Sequence, residues 1–384
     1  MGRAFITGTG AFTPAETISN EELVASFNTY VAEFNASNQE AIEQGDAEPL
    51  PLSSAEFIEK ASGIKSRHVV NKSGVLNPDV MHPLLPQRSD DTLSLQAEMA
   101  VAAAKEAFQQ ANLDGSQIDA CIAACSNFER AYPAIAIEVQ NALNIPGFAY
   151  DMNVACSSAT FALQAAHNLI VSGQAERVLV VNPEICSAHL EWRDRDCHFI
   201  FGDVATAVII ESEASAAARG KQNTAAFYMR SVQLKTRFSN NIRNNFGFLN
   251  RCTPEHRQDR DKTFYQNGRK VFKDVVPWVA ELMTSQLASE NIPHDQIRRL
   301  WLHQANINMN QLICKKVLSV EPTEEIAPVI LDEYANTSSA GSILAFHQYN
   351  QGFELGDIGL LCSFGAGYSV GCLLLEYTNI QLID

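Results

Sequence analysis

The 384 residues read as an α/β chain made of two related halves. Short apolar runs alternate with helical ones, and the same order of runs returns about 180 residues later. A polar junction separates the two copies. Alternation of this kind predicts buried, largely parallel sheets covered by helices.

In chain order, the strand-like runs of the first half are "RAFITGTG", "DACIAAC", "FAYDMNV", "RVLVVNPEI" and "ATAVIIES". Those of the second half are "RRLWLHQ", "IGLLCSF" and "VGCLLLEY". The stretches "LSLQAEMAVAAAKEAFQQANL" and "ATFALQAAHNLIVSG" have helical spacing. "SQIDACIAACSN" aligns with "DQIRRLWLHQAN" at an offset of 179, and "CSSATFALQAAH" with "TSSAGSILAFHQ" at 181. "FGDVATAVIIE" also resembles "FGAGYSVGCLLLE", at 163. Three matches in one order argue for duplicated halves about a pseudo-two-fold. The expected halves are residues 1–212 and 213–384, joined by "SEASAAARGKQNTA". Two stretches depart from the repeat: 28–56, with six carboxylates, and the polar 230–262. Long loops of this kind are more often functional covers than accidents.

Composition excludes several function classes. The formal charge of −16 argues against nucleic acid and anionic membranes as partners. No apolar run is long enough to span a bilayer, and the first residues carry no leader pattern. The nine cysteines are scattered and none forms C-x-x-C, which suggests free thiols in a reducing cytoplasm and no zinc site.

Cys156 sits where "AYDMNVA" gives way to "SSATFALQAAH". A cysteine at such a strand-to-helix turn faces unpaired N–H groups and the positive end of the helix dipole, which stabilise a thiolate. A packed core thiol is the bland alternative. His303 ends the apolar strand "RRLWLHQAN", with Asn306 three residues on. Strand ends are where α/β folds gather ligands. Asn336, in "YANTSSAG", falls one place before the repeat counterpart of Cys156. A helix N-cap is its bland reading. Two-fold symmetry brings the two helix starts together at the centre, with His303 from the adjoining strand end. "SFGAGYSVG" is a glycine turn that can aim a backbone N–H at an oxyanion.

These residues, with "GIKSRH", "ACSSATFAL", "DRDCHFIFGDVATAVI", "GRKVFK", "HQAN", "NTSSAG" and "FGAGYSVG" in this order, resemble the β-ketoacyl-acyl-carrier-protein synthase III family of the thiolase superfamily. The resemblance spans nearly the whole chain. It implies a thiolase-like fold of duplicated βαβαβαββ halves in five α-β-α-β-α layers. It implies a catalytic triad of Cys156, His303 and Asn336, with the backbone N–H groups of Cys156 and Gly367 as oxyanion donors. The implied reaction is decarboxylative condensation of an acyl-CoA primer with malonyl-acyl carrier protein through an acyl-Cys156 intermediate. This starts fatty-acid synthesis and uses no metal or redox cofactor. Other family-implied contacts are Arg195 and Phe57 on the CoA adenine, Asn306 on substrate, and Tyr132 reaching across a homodimer interface. Phe57 stands where the family usually has Trp, and Ala61 where it has Arg. Lys273, Lys315 and Lys316 match carrier-protein docking positions; the last two lie in the basic segment 296–320, which also holds Arg298 and Arg299. The longer 28–56 stretch points to a primer other than acetyl-CoA, such as a medium-chain acyl-CoA. A secondary-metabolite condensing enzyme and a cysteine-dependent thioesterase are the alternatives.

Overall fold

A computed structural model describes residues 2–381. The main sheet has nine strands: β1 (Ala4–Phe12), β2 (Ala120–Ala124), β3 (Phe148–Met152), β4 (Arg177–Ile185), β5 (Asp203–Ser212), β6 (Ala225–Ser239), β7 (Ile297–Leu302), β8 (Ile358–Gly365) and β9 (Gly367–Asn379). Their spatial order is β7-β8-β9-β6-β1-β5-β4-β2-β3. Helices α1 (Asn20–Ser37), α2 (Ala55–Ser62), α3 (Leu95–Ala111), α4 (Ile135–Ala142), α5 (Ser158–Val171), α6 (Gly268–Ser289), α7 (Ile307–Leu318) and α8 (Ala340–Gln348) pack around it.

The strands are apolar on both faces, and alternate residues feed different cores. In β4, Val178 and Val180 face the central core, while Leu179 and Val181 face an outer one. In β9, Leu373 and Leu375 point in, and Cys372 and Leu374 point out. The central core holds α5 and α8, the outer cores α3 with α4 and α6 with α7. This is the five-layer arrangement. Ala159, Ala162 and Ala166 of α5 are fully buried, and their small size lets the middle layer fit between two sheet faces.

The sheet is mixed, not largely parallel. β2 runs parallel to β3 and β4, and β7 parallel to β8; the other five pairings are antiparallel. Each half ends in two strands joined without a crossover helix, and only parallel neighbours need one. The β8–β9 turn is a single residue, Ala366. The halves meet along a short seam where Phe5 pairs with Tyr228 and Ile6 with Phe227.

The repeat is imperfect in two places. β6 is 15 residues long and falls where the sequence suggested the junction and a polar excursion. Its far end is exposed, so it lacks the apolar signature of a buried strand; the departure from the fold begins only after Ser239. The second half also has no counterpart to β3. Near residues 326–331 a single backbone–backbone bond among the described residues, from Leu300 N to Ile326 O (2.7 Å), joins that segment to β7. Pro328 has no N–H to extend the ladder.

The 28–56 stretch is tightly clamped. α1 presents Asn28 and Asn35, two helical turns apart. Asn28 both donates to Ser53 O (3.1 Å) and accepts from Ser53 N (2.9 Å). Asn35 does the same with Leu50, at 3.0 and 2.8 Å. Two amides thus stand in for a neighbouring strand.

Candidate active site

β3 ends at Met152, and a tight turn over Ala155–Ser157 leads into α5. Ala155 has φ +47°, a left-handed conformation that costs an alanine on the order of 1–3 kcal/mol. The turn is over-determined by its neighbours. Ala155 N donates to Asn153 Oδ1 (2.9 Å); Ser158 Oγ accepts from Val154 N (2.8 Å) and donates to Ala155 O (2.7 Å). The strain turns Cys156 onto the floor of a cavity of about 850 Å³. Gly365 comes up beneath it: a Cβ there would lie 2.5 Å from Cys156 Cβ and 2.8 Å from its Sγ.

His303 and Asn336 line the same cavity as Cys156, together with Phe364 and Gly365. His303 follows β7; its backbone N–H donates to Cys362 O (2.8 Å), and its ring stands edge-on to Phe364 with centroids 5.2 Å apart. Burial pushes its pKa down to about 4, against a weaker upward pull from the Ser338 backbone. The imidazole is therefore neutral at pH 7, with one N–H to donate. Asn336 is not the N-cap of α8; that place belongs to Ser339. Its Oδ1 instead accepts from Ser338 N (2.8 Å), which fixes the amide and leaves the NH₂ as the group that can serve a substrate.

Burial raises the Cys156 pKa above its ordinary value. The Ser338 hydroxyl and the backbone of Ala366 and Cys156 pull it down, while the Glu184 charge adds to the rise. Burial thus outweighs these donors, against the lowered pKa expected of a helix-start cysteine.

The backbone group beside the sulfur belongs to Ala366. Gly367, the expected oxyanion donor, lies one residue further on. The backbone amides of Cys156 and Ala366 both lie beside the sulfur.

At the entrance, the Arg195 guanidinium carbon lies 4.0 Å above the centre of the Phe57 ring. Its Nε donates to Leu52 O (2.7 Å), a carbonyl of the clamped strap. Phe57 and Ala61 line the cavity. Asn306 also lines it, with most of its amide engaged: Oδ1 caps α7 through Asn308 N (2.9 Å), and Nδ2 donates one of its two hydrogens to Ala61 O (2.7 Å). The polar excursion covers one side through Ile242 and Arg260, and Phe264 and Tyr265, just after it, complete that wall. Arg260 is neutralised by Asp194 at 3.0 Å.

Tyr132 lies outside the cavity and is 85% exposed. Lys273, Lys315 and Lys316 are exposed, and Lys315 is paired with Glu321. Arg299 does not belong to that basic surface. It is buried, donates to the carbonyls of Glu325, Tyr349 and Gln351, and packs over Phe353.

Sequence reasoning missed Ser338, Ala366 and Glu184. Glu184 is a buried carboxylate at the end of the apolar strand β4. A charge inside "RVLVVNPEI" was the available signal.

Residues 150–227 match the family model for 3-oxoacyl-[acyl-carrier-protein] synthase III, and residues 287–377 match its C-terminal counterpart. A β-ketodecanoyl-[acyl-carrier-protein] synthase of Pseudomonas aeruginosa is 57% identical over 351 residues, which cover 91% of this chain and 99% of that protein. A β-ketoacyl-[acyl-carrier-protein] synthase III of Methylococcus capsulatus is 29% identical, covering 97% of this chain and 98% of that one. The crystal structure of the synthase III of Aquifex aeolicus superposes with a TM-score of 0.74 at 24% identity, over 97% of this chain and all of that one; it shows the shared fold. The chain thus belongs to the 3-oxoacyl-[acyl-carrier-protein] synthase III family of acyl-transferring condensing enzymes.

Proposed function

We propose that this enzyme condenses a medium-chain acyl-CoA with malonyl-acyl carrier protein. The observation that carries the reading is one cavity onto which a cysteine, a neutral histidine and an asparagine amide all open. The Cys156 sulfur attacks the acyl thioester carbon, the Ala366 and Cys156 amides hold the oxyanion, and CoA leaves as a thiol. Malonyl-carrier protein then loses CO₂, which builds negative charge on its thioester oxygen. His303 and Asn336 donate hydrogen bonds to that oxygen. The resulting carbanion attacks the acyl-Cys156 carbonyl and frees the sulfur. These steps use no metal or redox cofactor.

The name of the Pseudomonas aeruginosa relative supports a chain length. A β-ketodecanoyl product has ten acyl carbons, of which malonate supplies two, so its primer has eight. We carry that length to this chain. Lys273, Lys315 and Lys316 at the surface offer an acidic carrier protein a docking place. Exposed Tyr132 fits a site on a second copy, in a homodimer. A cytoplasmic location accords with the free thiols; no helix among the described residues is long and apolar enough to cross a membrane.

The test is a panel of acyl-CoAs from two to twelve carbons, with the Cys156 peptide followed by mass before and after malonyl-carrier protein is added. Fastest acylation at eight carbons and a 3-oxodecanoyl product are expected. Loss of the acyl group to water without malonate overturns condensation, and acylation of Cys156→Ala overturns the site.

A further inference from the structure

Glu184 is the buried ionisable group that these steps leave unused. It is 1% exposed, yet its carboxylate is saturated with donors from both halves of the molecule. Oε1 accepts from Ser126 N (2.9 Å), Ser339 N (3.1 Å) and Ser339 Oγ (2.5 Å). Oε2 accepts from Ser126 Oγ (2.6 Å).

Each serine leads to one side of the active site. Ser126 O accepts from Asn153 Nδ2 (2.9 Å), and Asn153 Oδ1 holds Ala155 N (2.9 Å), the strained residue before Cys156. Ser339 follows Ser338, whose N–H fixes the Asn336 amide (2.8 Å) and whose other atoms face Cys156 and His303. One carboxylate thus spans the turn that presents the nucleophile and the turn that presents the decarboxylation donors. We propose that Glu184 is a positioning residue for the condensation: it holds the Asn336–Ser338 turn in register with the Cys156 turn across the pseudo-two-fold.

The two arms are unequal. The Cys156 turn has its own restraints in Ser158 and Gly365, and Glu184 reaches it through two intermediaries. The Asn336–Ser338 turn is gripped directly, through the next residue. Loss of the carboxylate should therefore damage the second half-reaction more than the first. Charge is a separable effect. The titratable groups around Glu184 are the thiols of Cys125, Cys156 and Cys186, with Asp203 next to Cys186. Burial raises the Glu184 pKa against the pull of its serine donors, and its charged form opposes ionisation of all three thiols.

Two variants test this, and both rest on the condensation reading. In Glu184→Ala, condensation should fall about 100-fold, as expected for a misplacement near 1 Å, and acylation of Cys156 by octanoyl-CoA less than 10-fold. Equal losses in both half-reactions, or none in either, overturn the proposal. In Glu184→Gln the shape is kept: the amide oxygen serves Ser339, and the Ser126 hydroxyl rotates to accept from the NH₂. Alkylation of Cys156 by iodoacetamide, read on its peptide by mass, should then move to lower pH. Condensation by this variant should stay within about 10-fold of wild type, because its bonds to Ser126 and Ser339 are kept; a loss as large as that of Glu184→Ala overturns the proposal, and Glu184→Asp, too short to hold both serines, repeats the half-reaction test if the alanine protein does not fold. The wild-type enzyme separates the two claims. If it makes no 3-oxoacyl product, the functional reading has failed. If it does and the alanine variant behaves like it, only Glu184 has.

Discussion

Gly365→Ala tests the close approach beneath the nucleophile. Gly365 has no positive φ, so alanine meets no backbone penalty there, and the effect is purely one of contact. The new Cβ would lie 2.5 Å from Cys156 Cβ and 2.8 Å from Sγ. Ordinary carbon contacts fall at about 3.5–4.0 Å, so the two groups must separate by about 1 Å. Neither can yield easily, because Cys156 is fixed by the turn at Ala155 and Gly365 by pairing with Ser369 in the β8–β9 ladder. Overpacking of this kind costs about 1–3 kcal/mol of stability. A shift near 1 Å in the attacking sulfur costs about 100-fold in rate. Single-turnover acylation, read as the mass of the Cys156 peptide, should slow by about that factor, alongside a lower melting temperature. Gly341→Ala is the control: its Cβ would meet nothing closer than 3.3 Å, at Thr337 Oγ1, and should leave acylation within a few-fold of wild type. Acylation of Gly365→Ala at the wild-type rate would refute the reasoning.

Other expectations concern the entrance and the pH response. Arg195→Ala removes the group stacked on Phe57 and should raise KM for acyl-CoA about 10-fold with kcat little changed; a fall in kcat at constant KM would show that Arg195 does not grip CoA. Asn35→Ala breaks both bonds to Leu50, worth about 1–3 kcal/mol together. Limited proteolysis should then cut the strap at residues 46–54 faster, and unchanged cleavage would count against the clamp. Burial lowers the His198 pKa to about 3, against about 6.5 unfolded. The unfolded chain therefore binds the proton first, and this stability is present above pH 6.5 and lost as pH falls toward 3. The loss is about 1.4 kcal/mol per pH unit. Urea midpoints of His198→Gln should fall less steeply than wild type between pH 6.5 and 4, and parallel curves would remove His198 as the cause.

Cys156, His303 and Asn336 were legible because apolar strand ends and an internal repeat mark where an α/β fold converges. The oxyanion donor was not. Glycine draws attention by its freedom, but the amide beside the sulfur is set by how a one-residue turn is aimed, and in this turn it belongs to Ala366. β6 was lost because its exposed half carries no alternation. Arg299 read as surface charge because sequence does not show the three carbonyls that receive it. Glu184 was hidden for a similar reason: its donors come from Ser126 and Ser339, more than 200 residues apart.

The contact between Arg195 and Phe57 also bears on kinetics. If the adenine of CoA enters between them, as the family resemblance implies, the base needs about 3.5 Å on each face, so the 4.0 Å contact has to widen to roughly 7 Å and the Leu52 latch must release or follow. Association then passes through an opened form. If that form makes up about one molecule in a hundred, apparent affinity falls about a hundredfold below that of the open slot. Under these conditions the observed binding rate reaches a plateau as acyl-CoA concentration rises, with the opening step as its ceiling. Substitutions in the strap, far from the sulfur, would raise that ceiling.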